Sequence, residues 1–157
     1  MASVPNGGSR LPNPSPVRIA VVEDNTADVV LLEECLSANS ISFEIQHFKD
    51  GAEAAVHLFG NASGAASLPD LIVLDLNMPK MNGLELLEKI KGHPRLAGIP
   101  VAVLTSSLAP EEKTEAGRLG ADRYLRKSAD LNEFLREVGE MIRELAPERF
   151  ALEAEVY

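Results

Sequence analysis

Short apolar runs alternate along the chain with segments whose apolar positions recur at helical spacing. The continuous branched run 71–74 and the mostly apolar run 17–22 are typical of parallel strands that are buried on both faces. Apolar residues three and four positions apart predict amphipathic helices. The predicted strands are 17–22, 43–48, 71–75, 100–105 and 123–127. The first predicted helix begins after its capping residue, Asn25 or Thr26. The other predicted helices cover 51–59, 83–91, 111–119 and about 130–145.

The strict alternation of five strands and five helices predicts an α/β fold with a doubly wound, five-stranded parallel sheet and helices on both faces. We assign one domain to residues 17–146. Residues 1–16, which are rich in proline and glycine, are predicted to be a disordered leader. The helix 111–119 contains Gly117 and few apolar residues, so we expect it to be weakly held.

The C-terminal tail, 147–157, has a different pattern from the rest of the chain. Apolar and acidic residues alternate from Phe150 to Tyr157, which is a strand period. The tail is either a frayed end or an arm that crosses to a second subunit in a symmetric dimer.

Composition limits the classes of partner. The chain of 157 residues has a net charge of −9 and a pI of about 4.8, which opposes binding to nucleic acid or to an anionic membrane. No apolar stretch approaches the roughly 18 residues of a membrane span. Cys35 is the only cysteine, so an internal disulfide is impossible. A reducing compartment, the cytoplasm, is therefore expected.

Chemically active side chains stand at the ends of four predicted strands. Glu23 and Asp24 follow the first, Asp75 ends the third, Thr105 ends the fourth and Lys127 ends the fifth. The carboxyl ends of parallel strands meet at one edge of a doubly wound sheet, so these groups should converge. Three close carboxylates repel one another, and the cluster therefore needs a cation. Oxygen ligands alone favour Mg²⁺ or Mn²⁺.

A phosphoryl group placed beside that ion would also meet the Lys127 ammonium and the Thr105 hydroxyl as donors. This arrangement suits phosphoryl transfer to a carboxylate nucleophile, with the metal and the lysine stabilising the charge. The product would be an acyl phosphate on one aspartate.

At this point the chain resembles a known family, the receiver domains of two-component response regulators. The resemblance covers about 17–145. Its motifs are Glu23-Asp24, Asp75-x-x-Met78-Pro79-x-Met81-x-Gly83, Thr105-Ser106-Ser107, and Tyr124 three residues before Lys127. It implies the flavodoxin-like (βα)5 fold with strand order 2-1-3-4-5.

The resemblance implies a metal site and a phosphoacceptor. Asp75 would take the phosphoryl group. Asp24 would contact Mg²⁺ directly and Glu23 through water, while Asn77 would supply its backbone carbonyl. Asp75 would be a further metal ligand.

The resemblance also implies a switch. Thr105 would move to the phosphoryl oxygen, Tyr124 would swing inward behind it, and Lys127 would pair with the phosphoryl group. One departure from the family pattern is Ser128, which stands where the family usually has a proline joined by a cis peptide. A cis bond before a residue other than proline costs about 2.5–4 kcal/mol, so the geometry of this loop stays open.

Within the family, the segments 22–28 and 75–83 look most like the single-domain regulators that are paired with phytochrome histidine kinases. The partners implied are a sensor histidine kinase and a downstream or phosphotransfer protein, with a homodimer expected. Slow autodephosphorylation is also expected, because Asn77 and Ser107 offer no charged base.

The sequence also bears on three other classes of protein. A metal-dependent phosphohydrolase with an aspartyl nucleophile needs a second carboxylate two residues after the nucleophile as its general acid. Asn77 stands at that position and cannot act as an acid. The chain lacks the glycine-lysine loop of P-loop proteins. Ser128 leaves open a phosphorylation-independent, receiver-like interaction module. We expect structural or exposed roles for His47, His57 and His93, and packing roles for Met78 and Met81.

Overall fold

The computed structural model describes residues 15–62, 68–78, 81–127 and 130–150. In these residues the strands are Val17–Val22 (β1), Phe43–Phe48 (β2), Leu71–Leu74 (β3), Val101–Thr105 (β4) and Arg123–Arg126 (β5). The helices are Thr26–Ala38 (α1), Gly51–Ala62 (α2), Gly83–Lys91 (α3), Pro110–Arg118 (α4) and Leu131–Leu145 (α5). The strands form one parallel sheet in the order β2-β1-β3-β4-β5, which confirms the predicted fold.

Two hydrophobic clusters cover the two faces of the sheet. Val17, Ile19 and Val21 of β1 belong to the cluster that contains the buried residues of α1 and α5. Ala20 and Val22 belong to the other cluster, with residues of α2, α3 and α4. Successive side chains of a strand point to opposite faces, so a continuous apolar run fills both clusters at once.

The strand register brings the carboxyl ends of the strands together. Val22 pairs with the last residue of β3, and Thr105 pairs with the last residue of β5. The backbone N–H of Asp75 donates to the carbonyl of Val22 at 3.0 Å, and the N–H of Lys127 donates to the carbonyl of Thr105 at 2.8 Å. These bonds hold the residues just beyond the strands at the same edge of the sheet.

One predicted element boundary differs from the structure by more than one residue. The helix predicted to end at residue 59 continues to Ala62, and the loop begins later than expected. Gly60 lies inside the helix, where a glycine costs only about 1 kcal/mol relative to alanine. A single glycine is therefore a weak stop signal when the neighbouring turns are packed. The start of α1, with Asn25 as its cap, and both ends of α3 are as predicted.

Helix α4 is the most sparsely packed of the described helices. Its N-cap, Ala109, makes no side-chain hydrogen bond, and Ala116 is its one buried residue. By contrast, Asp130 caps α5, which buries a stripe of apolar residues. This agrees with the weak packing that the sequence predicts for this helix.

A short 3-10 helix, Pro147–Phe150, follows α5. Arg149 lies against the N-terminal edge of the sheet, where its Nη2 donates to Oδ1 of Asp70 at 2.7 Å. The predicted arm thus begins in contact with its own domain. Residues 151–157 and the predicted leader, as far as residue 14, lie outside the described residues. No described helix has the length and apolar character that crossing a membrane requires.

Candidate functional site

Three carboxylates meet at the carboxyl edge of the sheet. Glu23, Asp24 and Asp75 each place an oxygen within 4.8 Å of the others. Glu23 and Asp75 are buried, whereas Asp24 is exposed. An oxygen-only donor set that is open on one side suits a hard divalent cation whose shell is completed by water. The predicted convergence of these three residues is confirmed, and the donor set fits Mg²⁺ or Mn²⁺.

The environment of Glu23 disfavours its charged form. The pKa of this carboxyl is raised to about 7 overall. Burial is the main cause, the hydrogen bond from Lys127 opposes the shift, and the charge of Asp75 adds to it. The backbone N–H of Asn25 donates to Oε2 of Glu23 at 3.1 Å and helps to fix its position. A nearby cation would therefore favour the charged form of Glu23.

The backbone around Asp75 leaves no spare room. The N–H of Asn77 donates to Oδ1 of Asp75 at 3.2 Å. Gly83, the first residue of α3, lies so close that an added Cβ would be 2.6 Å from the Asp75 carbonyl oxygen and 2.6 Å from the Cα of Leu76. The predicted glycine of the motif is thus required for the close approach of α3 to the aspartate.

Thr105 is fully buried at the end of β4. Its Oγ1 accepts a hydrogen bond from the backbone N–H of Ser107 at 3.2 Å, and the side-chain amide of Asn77 approaches it at 3.4 Å. The hydroxyl therefore links the loop after β4 to the loop that carries Asp75.

The ammonium of Lys127 lies among carboxylates. Its Nζ is 2.8 Å from Oε1 of Glu23, 2.7 Å from Oδ2 of Asp28 and 3.7 Å from Oδ2 of Asp75. Burial alone would lower the pKa of Lys127, but the hydrogen bonds to Asp28 and Glu23 and the charge of Asp75 raise it overall. Lys127 is therefore a fixed cation beside the aspartate.

Tyr124 lies apart from these groups, on β5. Its ring is half-buried and packs against the core, and its hydroxyl is buried without a hydrogen-bond partner among the described residues. Burial and the nearby charge of Glu112 raise the pKa of this hydroxyl, against the effect of Arg126. Tyr124 and Lys127 both line a groove of about 460 Å³ between α4 and α5.

The predicted roles of other side chains can be compared with their contacts. His47 Nε2 lies 2.6 Å from the backbone carbonyl oxygen of Glu23, and His57 and His93 make their own local contacts. No histidine belongs to a possible metal-binding group in the described part of the chain. Met78 and Met81 pack against the core, as predicted. Pro79 and Ser128 lie outside the described residues, and so does the peptide bond that precedes Ser128.

Asp28 also belongs to the site through its contact with Lys127, and it is not among the functional residues that the sequence predicts. It lies in the first turn of α1, four residues after Asp24. The N-terminus of a helix that follows β1 begins at the same edge of the sheet as the acidic pair. An acidic residue within this first turn was the available signal.

Residues 19–139 match the family model of the response regulator receiver domain, so the chain belongs to this family. Its curated relatives include response regulator Rcp1 of Synechocystis sp., which is 39% identical over 127 residues, 80% of this chain and 86% of Rcp1. The probable methanogenesis regulatory protein FilR2 of Methanothrix harundinacea is 33% identical over 136 residues, 87% of this chain and 88% of FilR2.

Similar solved structures include the phosphorylated cyanobacterial phytochrome response regulator RcpA. It superimposes with a TM-score of 0.73 at 37% identity, covering 82% of this chain and 93% of RcpA. The Mn²⁺-bound form of Rcp1 superimposes with a TM-score of 0.72 at 34% identity, covering 83% of this chain and 95% of that one.

Proposed function

We propose that this receiver accepts a phosphoryl group on Asp75 within a His-Asp phosphorelay and signals through a conformational switch and protein contacts. The observation that carries the proposal is the position of the Asp75 carboxylate. It is buried, within 4.8 Å of two further carboxylates, and 3.7 Å from a lysine ammonium. A nucleophile, a cation site and a charge-stabilising donor are the parts that phosphoryl transfer needs.

In the proposed transfer, an oxygen of Asp75 attacks the phosphorus of a phosphohistidine. The new P–O bond forms as the P–N bond breaks, and the imidazole nitrogen keeps the electron pair and takes a proton from solvent. Lys127 and Thr105 stabilise the transferred group by donating to its oxygens. Burial of Asp75 limits the access of competing water.

The metal ligands in this proposal are Glu23, Asp24, Asp75 and the backbone carbonyl of Asn77. When bound, Mg²⁺ or Mn²⁺ would neutralise negative charge that the phosphoryl oxygens bring to the site. The acidic cluster supports this assignment. The Mn²⁺-bound form of Rcp1 supplies a precedent in a related chain.

The proposed switch joins Thr105 to Tyr124. When Thr105 turns towards the phosphoryl group, its hydrogen bond with Ser107 breaks and the loop before α4 shifts. Tyr124 then moves inward, and α4, which is sparsely packed, moves with it. A weakly packed helix beside the site suits an element that must adopt two positions.

The test is intact mass spectrometry after incubation with acetyl phosphate and Mg²⁺. The wild type should gain one phosphoryl group, and neither Asp75→Asn nor a chelator-treated sample should gain any. Asp70→Asn is a matched control, because it removes an aspartate at the opposite edge of the sheet. A wild type that gains no mass, or an Asp75→Asn variant that gains as much, would contradict the proposal.

We further propose a sensor histidine kinase of the phytochrome class as the donor, in the cytoplasm. The similarity to RcpA and to Rcp1 supports this partner. Phosphotransfer rates should be compared between an autophosphorylated phytochrome kinase and an unrelated autophosphorylated kinase. A phytochrome kinase that transfers no faster than the unrelated kinase would remove this part of the proposal and leave the acceptor chemistry intact.

A further inference from the structure

Lys127 is held by more carboxylates than the acceptor chemistry requires. Its Nζ makes hydrogen bonds to Glu23 at 2.8 Å and to Asp28 at 2.7 Å, whereas Asp75 lies at 3.7 Å. The two short contacts therefore go to residues other than the proposed phosphoacceptor. Asp28 is also distinct from the acidic cluster of Glu23, Asp24 and Asp75.

An ammonium has three N–H donors in a tetrahedral arrangement. Two bonds in fixed directions determine the direction of the third. With two donors on Glu23 and Asp28, one N–H of Lys127 remains for a further acceptor, and the next carboxylate is that of Asp75 at 3.7 Å. The gap of 3.7 Å is longer than a hydrogen bond to Asp75 itself. Among the described residues no third acceptor lies within hydrogen-bond distance of Nζ, so this donor can serve an acceptor that enters beside Asp75.

Asp28 is placed to act as a rigid anchor. It lies in the first turn of α1, and Asn25 caps this helix by accepting a hydrogen bond from Ala27 at 3.0 Å. The lysine side chain, by contrast, has a flexible four-carbon stem. The side chain of Lys127 is only 15% exposed and that of Asp28 30%, so water competes for this contact incompletely.

We propose that Asp28 is a positioning residue, which holds the Lys127 ammonium so that its free N–H meets a phosphoryl oxygen on Asp75. This inference rests on the proposed function. Asp28 touches neither the phosphoryl group nor its donor, and acts only through Lys127. The loss of its acceptor oxygen lets the lysine swing among the remaining carboxylates and lowers the fraction of molecules that are ready for transfer.

A different role for the same contact makes the opposite prediction. If the charge of Asp28 mainly offset that of Lys127, removing this charge would strengthen the pairing of Lys127 with an incoming phosphoryl group. Asp28→Asn and Asp28→Ala would then both react faster than the wild type. The asparagine variant separates the two roles, because it keeps an oxygen acceptor and loses the charge.

The experiment measures the initial rate of phosphorylation by acetyl phosphate at saturating Mg²⁺, by intact mass, for the wild type, Asp28→Ala and Asp28→Asn. Glu85→Ala is the matched control, since Glu85 is an exposed acid in the first turn of α3. We expect Asp28→Ala to be about tenfold slower, and Asp28→Asn and Glu85→Ala to stay within about threefold of the wild type. This rescue by asparagine would support orientation rather than charge.

Three results would overturn the inference: an Asp28→Ala variant as fast as the wild type, acceleration in both variants, or an equal loss in both. No adduct on the wild type would instead contradict the proposed function, and the role of Asp28 would fall with it. The two failures are therefore distinguishable.

A second measurement detects the contact without phosphorylation. Urea unfolding of the wild type, Asp28→Ala, Lys127→Met and the double variant forms a double-mutant cycle. The change in the unfolding equilibrium constant of the double variant, relative to the wild type, should differ at least fivefold from the product of the changes in the two single variants. Additive effects would show that Asp28 does not hold Lys127 in solution and would overturn the inference.

Discussion

At the scale of single residues, the site is crowded and its backbone has little freedom. Glu23 and Asp75 bury their carboxylates beside Lys127 instead of exposing them to water. Burying charge is unfavourable unless partners compensate for it. Gly83 contributes differently, since the space that a side chain would occupy is filled by the backbone of the aspartate loop.

Gly83→Ala should destabilise the protein by about 1–3 kcal/mol, because a new Cβ would overlap the Asp75 carbonyl oxygen and force the loop to shift. Urea unfolding and the phosphorylation rate would both report this change. Gly60→Ala is the control, since an added Cβ there meets nothing within 4 Å. It should stabilise α2 by about 0.5–1 kcal/mol. Equal effects of the two substitutions would contradict the steric argument.

The hydroxyls of Thr105 and Tyr124 should respond differently to removal. Thr105→Val leaves the N–H of Ser107 without its acceptor and should cost about 1–3 kcal/mol in the free energy of unfolding. Tyr124→Phe removes a hydroxyl that has no partner among the described residues and should be neutral or slightly stabilising. Chemical denaturation of both variants checks this order, and the reverse order would refute it.

At the scale of secondary structure elements, helix ends differ in how well their backbone groups are satisfied. Asn82 caps α3 by accepting a hydrogen bond from the N–H of Leu84 at 2.7 Å, and α3 buries four residues. Ala109 at the same position of α4 offers no acceptor side chain, and α4 buries only Ala116. Helix α4, which borders Tyr124, is therefore less firmly anchored than α3.

Amide hydrogen exchange should be faster throughout α4 than in α3, because few packed side chains oppose local opening of α4. Ala109→Ser introduces an N-cap and should slow exchange in α4, stabilising this helix by about 1 kcal/mol. Asn82→Ala provides the reciprocal control by removing a cap from α3. Unchanged exchange in both variants would show that the caps do not control local opening.

At the scale of the whole molecule, part of the surplus negative charge lies where the strands end. Glu23, Asp28 and Asp75 lie around the ammonium of Lys127, and Asp24 lies beside Glu23 and Asp75. Their mutual repulsion opposes the folded state in the absence of a cation. The net charge of −9 adds to this effect over a longer range.

Mg²⁺ should stabilise the fold as a ligand of the native state. At Mg²⁺ concentrations above the dissociation constant, each tenfold rise should add about 1.4 kcal/mol to the free energy of unfolding. This change is measured as a shift in the urea midpoint. Asp24→Asn should weaken this dependence, because Asp24 is an oxygen of the proposed site, while Asp70→Asn should not. A wild type that is insensitive to Mg²⁺ would argue against the metal site.

The tail prediction also belongs to the whole molecule. We expect the full chain to sediment as a dimer and a chain that ends at residue 146 to sediment as a monomer. A chain that ends at residue 150 keeps the contact of Arg149 with Asp70 and isolates the part played by 151–157. A mass unchanged on removal of 147–157 would refute the arm.

The succession of strands and helices along the chain follows from the sequence alone. So does the convergence at one edge of the sheet of the strand-end residues, which are Glu23, Asp24, Asp75, Thr105 and Lys127. Both depend on local signals: apolar runs buried on two faces, and polar residues where those runs stop. Because parallel strands share the direction of their carboxyl ends, the position of a residue at a strand end also determines its position in space.

The tertiary structure decided what depends on packing between elements. The contact of Asp28 with Lys127 joins residues 99 positions apart and requires the first turn of α1 and the residue after β5 to meet at the carboxyl edge of the sheet. The burial of the Tyr124 hydroxyl, which has no partner among the described residues, and the close approach of α3 to the aspartate loop likewise follow from packing. A local pattern records which side chains are available, but distances of a few ångströms are set only when the helices pack against the sheet.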